Sequence, residues 1–96
     1  MSTRMVTYRV REGMAEENSA YVRGVMADLE ARAAEGVAYS VYLLDDGVTF
    51  VHLAEGDSGP IQSSEAFRRF TASLVEDRCA TTPEQKEMTL VGRYAG

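Results

Sequence analysis

Apolar and polar residues alternate in four places along the chain, and two longer stretches repeat their apolar positions at helical spacing. Met5-Val6-Thr7-Tyr8-Arg9-Val10 alternates as a first strand, with Val6, Tyr8 and Val10 on one face. From about Ala15 to Glu35 the residues Val22, Val25, Met26, Leu29 and Ala33 recur at i, i+3, i+4, i+7 and i+11, the single buried stripe of a helix that Gly36 ends. Glu16 and Glu17 fall where a helix N-terminus favours negative charge. Ser63 or Ser64 can cap a second helix, whose inward face is Phe67, Phe70, Thr71 and Leu74 and which frays near Arg78-Cys79. Thr82-Pro83 forces a break, and Met88-Thr89-Leu90-Val91-Gly92-Arg93-Tyr94 reads as the last strand.

The centre of the pattern is Tyr39 to Leu53, two runs rich in β-branched and aromatic residues separated by Asp45-Asp46-Gly47, which predicts a β-hairpin. Two registers are open. A two-residue Asp46-Gly47 turn sets Asp45 opposite Val48 and puts Tyr39, Val41 and Leu43 on a face with Phe50 and His52. A three-residue loop closed by a Gly bulge sets Leu44 opposite Val48, so that Ser40, Tyr42 and Leu44 join Val48, Phe50 and His52. The second is preferred, because it gathers Tyr39, Val41, Leu43, Val51 and Leu53 on one apolar face for the helices to cover. In that register His52 points away from the helices.

The element order is β-α-β-β-α-β. With these lengths it predicts a ferredoxin-like α+β fold: a four-stranded antiparallel sheet with two helices on one face. Glu55-Gly56-Asp57-Ser58-Gly59-Pro60 is a loop by composition, placed where it can cover the ground between helix and sheet.

Composition narrows the picture. The 96 residues suit a single domain spanning 1–96, and 45% apolar with 26% charged residues is globular composition. A chain this short buries only about 60–70% of its unfolded surface, so a two-layer fold with one sheet face uncovered gains from a second copy. Fifteen acidic against ten basic residues, a net charge of −5, argue against a nucleic-acid partner. No apolar run reaches the roughly 18 residues of a membrane span, and the N-terminus lacks a charged-then-apolar signal. A cytoplasmic location is expected. Cys79 is the sole cysteine, which excludes an intrachain disulfide; it reads as a small apolar residue at a helix end.

The candidate chemistry is sparse. His52 is the one side chain with an ordinary pKa near neutrality and is the candidate base, with Tyr42 as the donor to a developing enolate and Tyr39 as the reserve donor. A lone histidine with no second His or Cys at ligand spacing makes no metal site, and Asp45-Asp46 is explained by the turn, so no metal or cofactor is expected. Arg4, Arg9 and Arg11 around the first strand are either solvated or able to steer an anion. Arg23, Asp28, Glu30 and Arg32 on the first helix read as solvated charges, and Tyr21 as packing.

The whole chain, from Val6-Thr7-Tyr8-Arg9-Val10 through the long helix and the Leu44 to Leu53 hairpin to Ser64-Glu65-Ala66-Phe67-Arg68-Arg69-Phe70, resembles the dimeric α+β barrel superfamily, nearest to its antibiotic biosynthesis monooxygenase-like group. The resemblance implies a homodimer whose two sheets meet face to face, with a small-molecule pocket between helices and sheet. Tyr39, Phe50, Phe67 and Phe70 are then candidates to bind an apolar or aromatic ligand, beside His52 and Tyr42 as catalytic candidates. It further implies either cofactor-independent oxygenation of an aromatic or polyketide-like metabolite, or a non-catalytic dimeric domain that binds a small ligand or assembles. Members that oxygenate aromatics or degrade haem tend to place a Trp with Asn or His in the pocket. This chain has no Trp, and its sole Asn is Asn18 at the start of the first helix, which counts against both activities, against haem degradation more than against oxygenation.

Overall fold

The computed structural model describes residues 3–96. Strand β1 (Thr3–Arg9) leads into helix α1 (Ala15–Ala31), then strands β2 (Val37–Leu43) and β3 (Thr49–Gly56). A single helical turn α2 (Gly59–Gln62) precedes helix α3 (Glu65–Ser73), a π-helical turn follows over Leu74–Arg78, and strand β4 (Glu84–Met88) completes the order. The strands lie as β2-β3-β1-β4, every pairing antiparallel. This is the ferredoxin-like α+β arrangement that the periodicities predict, with α2 and the π turn as additions.

Several boundaries differ from expectation for local reasons. Helix α1 stops at Ala31, and its exit is a tight turn in which Ala33 takes φ +49°, with Ala33 and Ala34 N–H bonded back to Glu30 O and Leu29 O. A residue with a Cβ in that left-handed region costs about 1–2 kcal/mol. The last strand is the polar Glu84–Met88 and not Met88 to Tyr94. It is an edge strand paired only with β1, and charge on such an edge discourages further pairing. The apolar Leu90, Val91 and Tyr94 beyond it are exposed and outside any strand. Ser64 is the cap of α3, its hydroxyl accepting from Phe67 N–H at 3.1 Å.

The hairpin register also corrects the expectation. Leu43 faces Phe50, Val41 faces His52 and Tyr39 faces Ala54, while Leu44 N–H bonds to Thr49 O and Gly47 N–H to Leu44 O. Leu44 therefore pairs with Thr49 rather than Val48, and the connection is the four residues 45–48. Gly47 takes φ +77°, as a turn of this kind requires. The Asp46 carboxylate accepts from the N–H groups of Val48 and Thr49 and from the Thr49 hydroxyl, and these bonds hold its pKa below the usual carboxylate value. At the other end of the hairpin a Cβ on Gly56 (φ +84°) would lie 2.3 Å from Gly36 O, so only glycine fits where β3 leaves the sheet.

One sheet face carries Tyr8, Phe50, His52, Val41 and Tyr39, and the core forms where it meets Val22 and Val25 of α1, Ala66 and Phe70 of α3, and Leu74. The other face carries Met5, Thr7, Val51, Leu53 and Tyr42, with no helix of the described residues over it. Arg32 ties α1 to α2 by pairing with Asp28 and donating to Pro60 O at 2.7 Å, so it does more than face solvent. Arg11 likewise donates to the carbonyls of Glu76 and Asp77 in the π turn.

Candidate functional site

A cavity of about 410 Å³ lies between the covered sheet face and the segment from α2 to the π turn. Its sheet wall includes Val6, Tyr8, Tyr39 and His52; its helix wall includes Ile61, Phe67, Phe70 and Leu74. The walls follow from periodicity: alternate residues of β1, β2 and β3 point inward, and Phe67, Phe70 and Leu74 share one face of the helix. Of the loop expected over 55–60, Glu55 and Gly56 finish β3, Gly59 and Pro60 open α2, and Ser58 lines the cavity beside Ile61 and Gln62 of α2.

His52 is only 5% exposed, and both its ring nitrogens are engaged. Nδ1 lies 2.6 Å from Tyr39 Oη and Nε2 lies 2.7 Å from Tyr8 Oη. Along β3, Tyr8 sits beside Phe50 and Tyr39 beside Ala54, so His52 lies between them and each hydroxyl reaches it diagonally. The ring also packs 5.5 Å from Phe70. Among the described residues no carboxylate is bonded to it, and burial pushes its pKa down to about 4, which makes it a neutral imidazole near pH 7. Burial raises the pKa of Tyr8 and of Tyr39, so both keep their hydroxyl protons.

The network continues inward. Asn18 Nδ2 donates to Tyr8 Oη at 2.9 Å, and Arg78 Nε donates to Asn18 Oδ1 at 2.9 Å. Arg78 is fully buried and donates also to Ser73 Oγ at 2.7 Å and Phe70 O at 2.6 Å, with its guanidinium carbon 4.0 Å from the Tyr21 ring centroid. Tyr21 thus packs, as expected, but against a cation.

The sequence candidates separate cleanly. His52, Tyr39, Phe67 and Phe70 come together on the cavity. Tyr42 does not: the register turns it to the open face, 55% exposed, where it cannot meet anything bound beside His52. Phe50 is buried core, stacked on Tyr8 with ring centroids 5.7 Å apart, and does not line the cavity. Cys79 is buried at the end of the π turn, where burial raises its thiol pKa. Among the described residues no three His, Cys, Asp or Glu side chains gather as a metal site, and no helix is long and apolar enough to cross a membrane. Sequence reasoning missed Tyr8, Asn18 and Arg78 as members of this network. The signal was present: Asn18 precedes Val22 and Val25 on the buried stripe of α1, and Arg78 follows Phe67, Phe70 and Leu74 on the next.

This cavity sits in a βαββαβ frame that known structures share. The fold is that of the antibiotic biosynthesis monooxygenase-like proteins. A crystal structure of an antibiotic biosynthesis monooxygenase is similar over 96% of this chain and 100% of its own, with 15% identity and a TM-score of 0.73. A Caulobacter crescentus protein provisionally given the same name is similar over 95% of this chain and 90% of its own, with 16% identity and a TM-score of 0.72. A Pseudomonas aeruginosa protein is similar over 95% and 94%, with 21% identity and a TM-score of 0.73. No protein-family model and no curated protein matches the sequence. The likeness to monooxygenase-like structures is therefore one of fold, and chemistry has to be argued from the side chains.

Proposed function

We propose that the chain is a small cofactor-independent oxygenase of the monooxygenase-like type, acting on an electron-rich aromatic or polyketide-like metabolite held in the cavity. The observation that supports this reading is the Tyr39–His52 pair, set in the sheet wall of a cavity whose opposite wall is apolar and aromatic. Such chemistry asks little of the protein. A methylene between aromatic rings reacts with dioxygen to give a carbonyl and water, and the substrate supplies all the electrons once it is ionised. The protein has to bind the substrate, hold its anion and exclude water. Phe67 and Phe70 offer faces for an aromatic ring, and Tyr39 replaces Tyr42 as the donor beside His52.

The test is oxygen uptake with a polyphenolic anthrone, comparing wild type with Tyr39→Phe and His52→Ala. Loss of one donor to a developing oxyanion costs about 10²–10³ in rate, so Tyr39→Phe should fall that far, and His52→Ala, which removes the side chain that holds the Tyr39 hydroxyl, should fall with it. Rates equal to wild type, or a wild type no faster than the uncatalysed reaction, would remove the enzymatic reading. In that case the second reading holds, a non-catalytic domain that binds a small apolar or aromatic ligand. It is favoured by one observation: protein hydroxyls already occupy both nitrogens of His52.

The open sheet face is proposed as the contact between two copies of the chain. Val51, Leu53 and Met5 lie there half-buried with Tyr42 exposed, and the exposed Leu90, Val91 and Tyr94 follow β4. Burying this surface stabilises at roughly 25 cal/mol per Å² before association costs. Light scattering at tens of micromolar should give twice the 10.5 kDa chain mass. A monomer there would contradict the homodimer.

A further inference from the structure

We propose that the buried Arg78 guanidinium sets the direction of every hydrogen bond from Asn18 to Tyr39, so that Tyr39 presents its hydroxyl proton to the cavity and the site selects oxyanions, phenolates or enolates, as ligands. The inference rests on the reading of the cavity as the ligand site and specifies what that site prefers.

The direction follows from donor counting. A guanidinium only donates, so the Asn18 atom 2.9 Å from Arg78 Nε is the carbonyl oxygen, and the amide nitrogen faces Tyr8 and donates to its oxygen. Among the described residues Tyr8 Oη has one other partner, His52 Nε2 at 2.7 Å, and that is where its proton goes. Nε2 is then an acceptor, and a neutral imidazole carries its proton on the other nitrogen. Nδ1–H donates to Tyr39 Oη at 2.6 Å. Tyr39 has no further partner among the described residues, so its own proton is left for whatever occupies the cavity it lines. The opposite direction, or a cationic ring, would aim two donors at Tyr8 and leave its hydroxyl proton without an acceptor. Neutrality of the ring is also what burial without a carboxylate produces.

Charge supports the same polarity. None of the ion pairs among the described residues includes Arg78. A buried cation at one end of a head-to-tail chain polarises each successive O–H or N–H, which strengthens the last donor. In this arrangement Arg78, Asn18, Tyr8 and His52 are positioning residues, and Tyr39 is the group that touches the ligand.

Because the chain contains one histidine, ¹⁵N NMR of the wild-type imidazole reads the tautomer without ambiguity. The proton should be on Nδ1 near neutral pH; an Nε2–H tautomer or a cationic ring would overturn the proposal. In Asn18→Asp the new carboxylate accepts from Arg78 but cannot donate to Tyr8, so the chain reverses and the proton should move to Nε2. Binding supplies an independent reading, with a nitrophenolate compared against its methyl ether. Wild type should prefer the phenolate, and Tyr39→Phe should lose roughly tenfold to a hundredfold of that preference, the range for a hydrogen bond to a charged group. An unchanged preference in Tyr39→Phe, or none in wild type, overturns the selection of oxyanions. Should Asn18→Asp fail to fold, the wild-type tautomer and Tyr39→Phe still decide the matter. Neither measurement needs turnover. Phenolate preference without oxygen uptake would refute the oxygenase and leave this inference standing, whereas a wild type that binds neither compound would refute the cavity as the site.

Discussion

On the covered face of the sheet Tyr8 and Tyr39 are taken out of water and bonded to His52 between them, while on the opposite face Thr7, Val51 and Tyr42 form a row across β1, β3 and β2 that no helix among the described residues covers. Each row holds tyrosine, and the two have opposite fates. On the covered face the polar atoms need partners, because an unpaired buried donor or acceptor costs about 1–3 kcal/mol, and the chain from Arg78 to Tyr39 supplies them. On the open face water can serve the Tyr42 hydroxyl, and the apolar neighbours Val51 and Leu53 are what remains to be buried. On the proposed reading the covered face is the place for chemistry and the open face the place for assembly. Changes on the first should be large and specific, and changes to polar atoms on the second small.

The largest effect is expected at the inner end of the polar chain. Arg78→Leu removes the donors to Asn18 Oδ1, Ser73 Oγ and Phe70 O in a fully buried setting. Losing several buried bonds at once should cost about 3–5 kcal/mol, a large part of the 5–15 kcal/mol typical of a folded domain. Urea denaturation measures it. A loss below about 1 kcal/mol would mean that the covered face does not depend on Arg78.

That arginine also shows where the sequence stops being readable. The strands and helices were legible because periods of 2 and 3.6 are written in residues such as Val6-Tyr8-Val10 and Phe67-Phe70-Leu74. The register of the hairpin was not, since both alignments give plausible faces. Choosing the purer apolar face went wrong because it treated His52 as a residue to keep outside. Its partners lie on β1 and β2, and the residue behind them comes from α1, which no pattern within the hairpin reveals. Asn18 and Arg78 could have been found as polar residues standing on apolar helical stripes. What they bond to is a tertiary fact, as is the choice of the charged Glu84–Met88 over the apolar residues after it for the edge strand. Of the candidate site, His52, Tyr39, Phe67 and Phe70 were legible as residue types near a shared face, while the arrangement that gives them direction was not.

A second and smaller effect separates the faces by pH. His52 has its pKa lowered from the usual 6.5 to about 4 by burial. Between those values the unfolded chain binds a proton that the folded one does not, so stability is fully present above pH 6.5 and falls as the pH drops toward 4. At 1.36 kcal/mol per pKa unit the total is roughly 3 kcal/mol. The profile of wild type minus that of His52→Gln, by urea denaturation at a series of pH values, should show this slope and level off below pH 4. A flat difference would place His52 in water, as on the open face.

The smallest effect is the most direct comparison of the two faces, the removal of one hydroxyl from each. Tyr39→Phe takes away the partner of the buried His52 Nδ1 and leaves that nitrogen unpaired, which should destabilise by about 1–3 kcal/mol. Tyr42→Phe removes a hydroxyl from a side chain that is 55% exposed and should stay within about 0.5 kcal/mol of wild type, because water replaces nothing that the fold supplied. The two residues are three apart on one strand, so alternation alone puts them on opposite faces. Equal effects would mean that the hairpin does not hold the register of Val41 opposite His52, and a larger effect at Tyr42 would restore the alignment in which Leu44 faces Val48 and Tyr42 shares a face with His52.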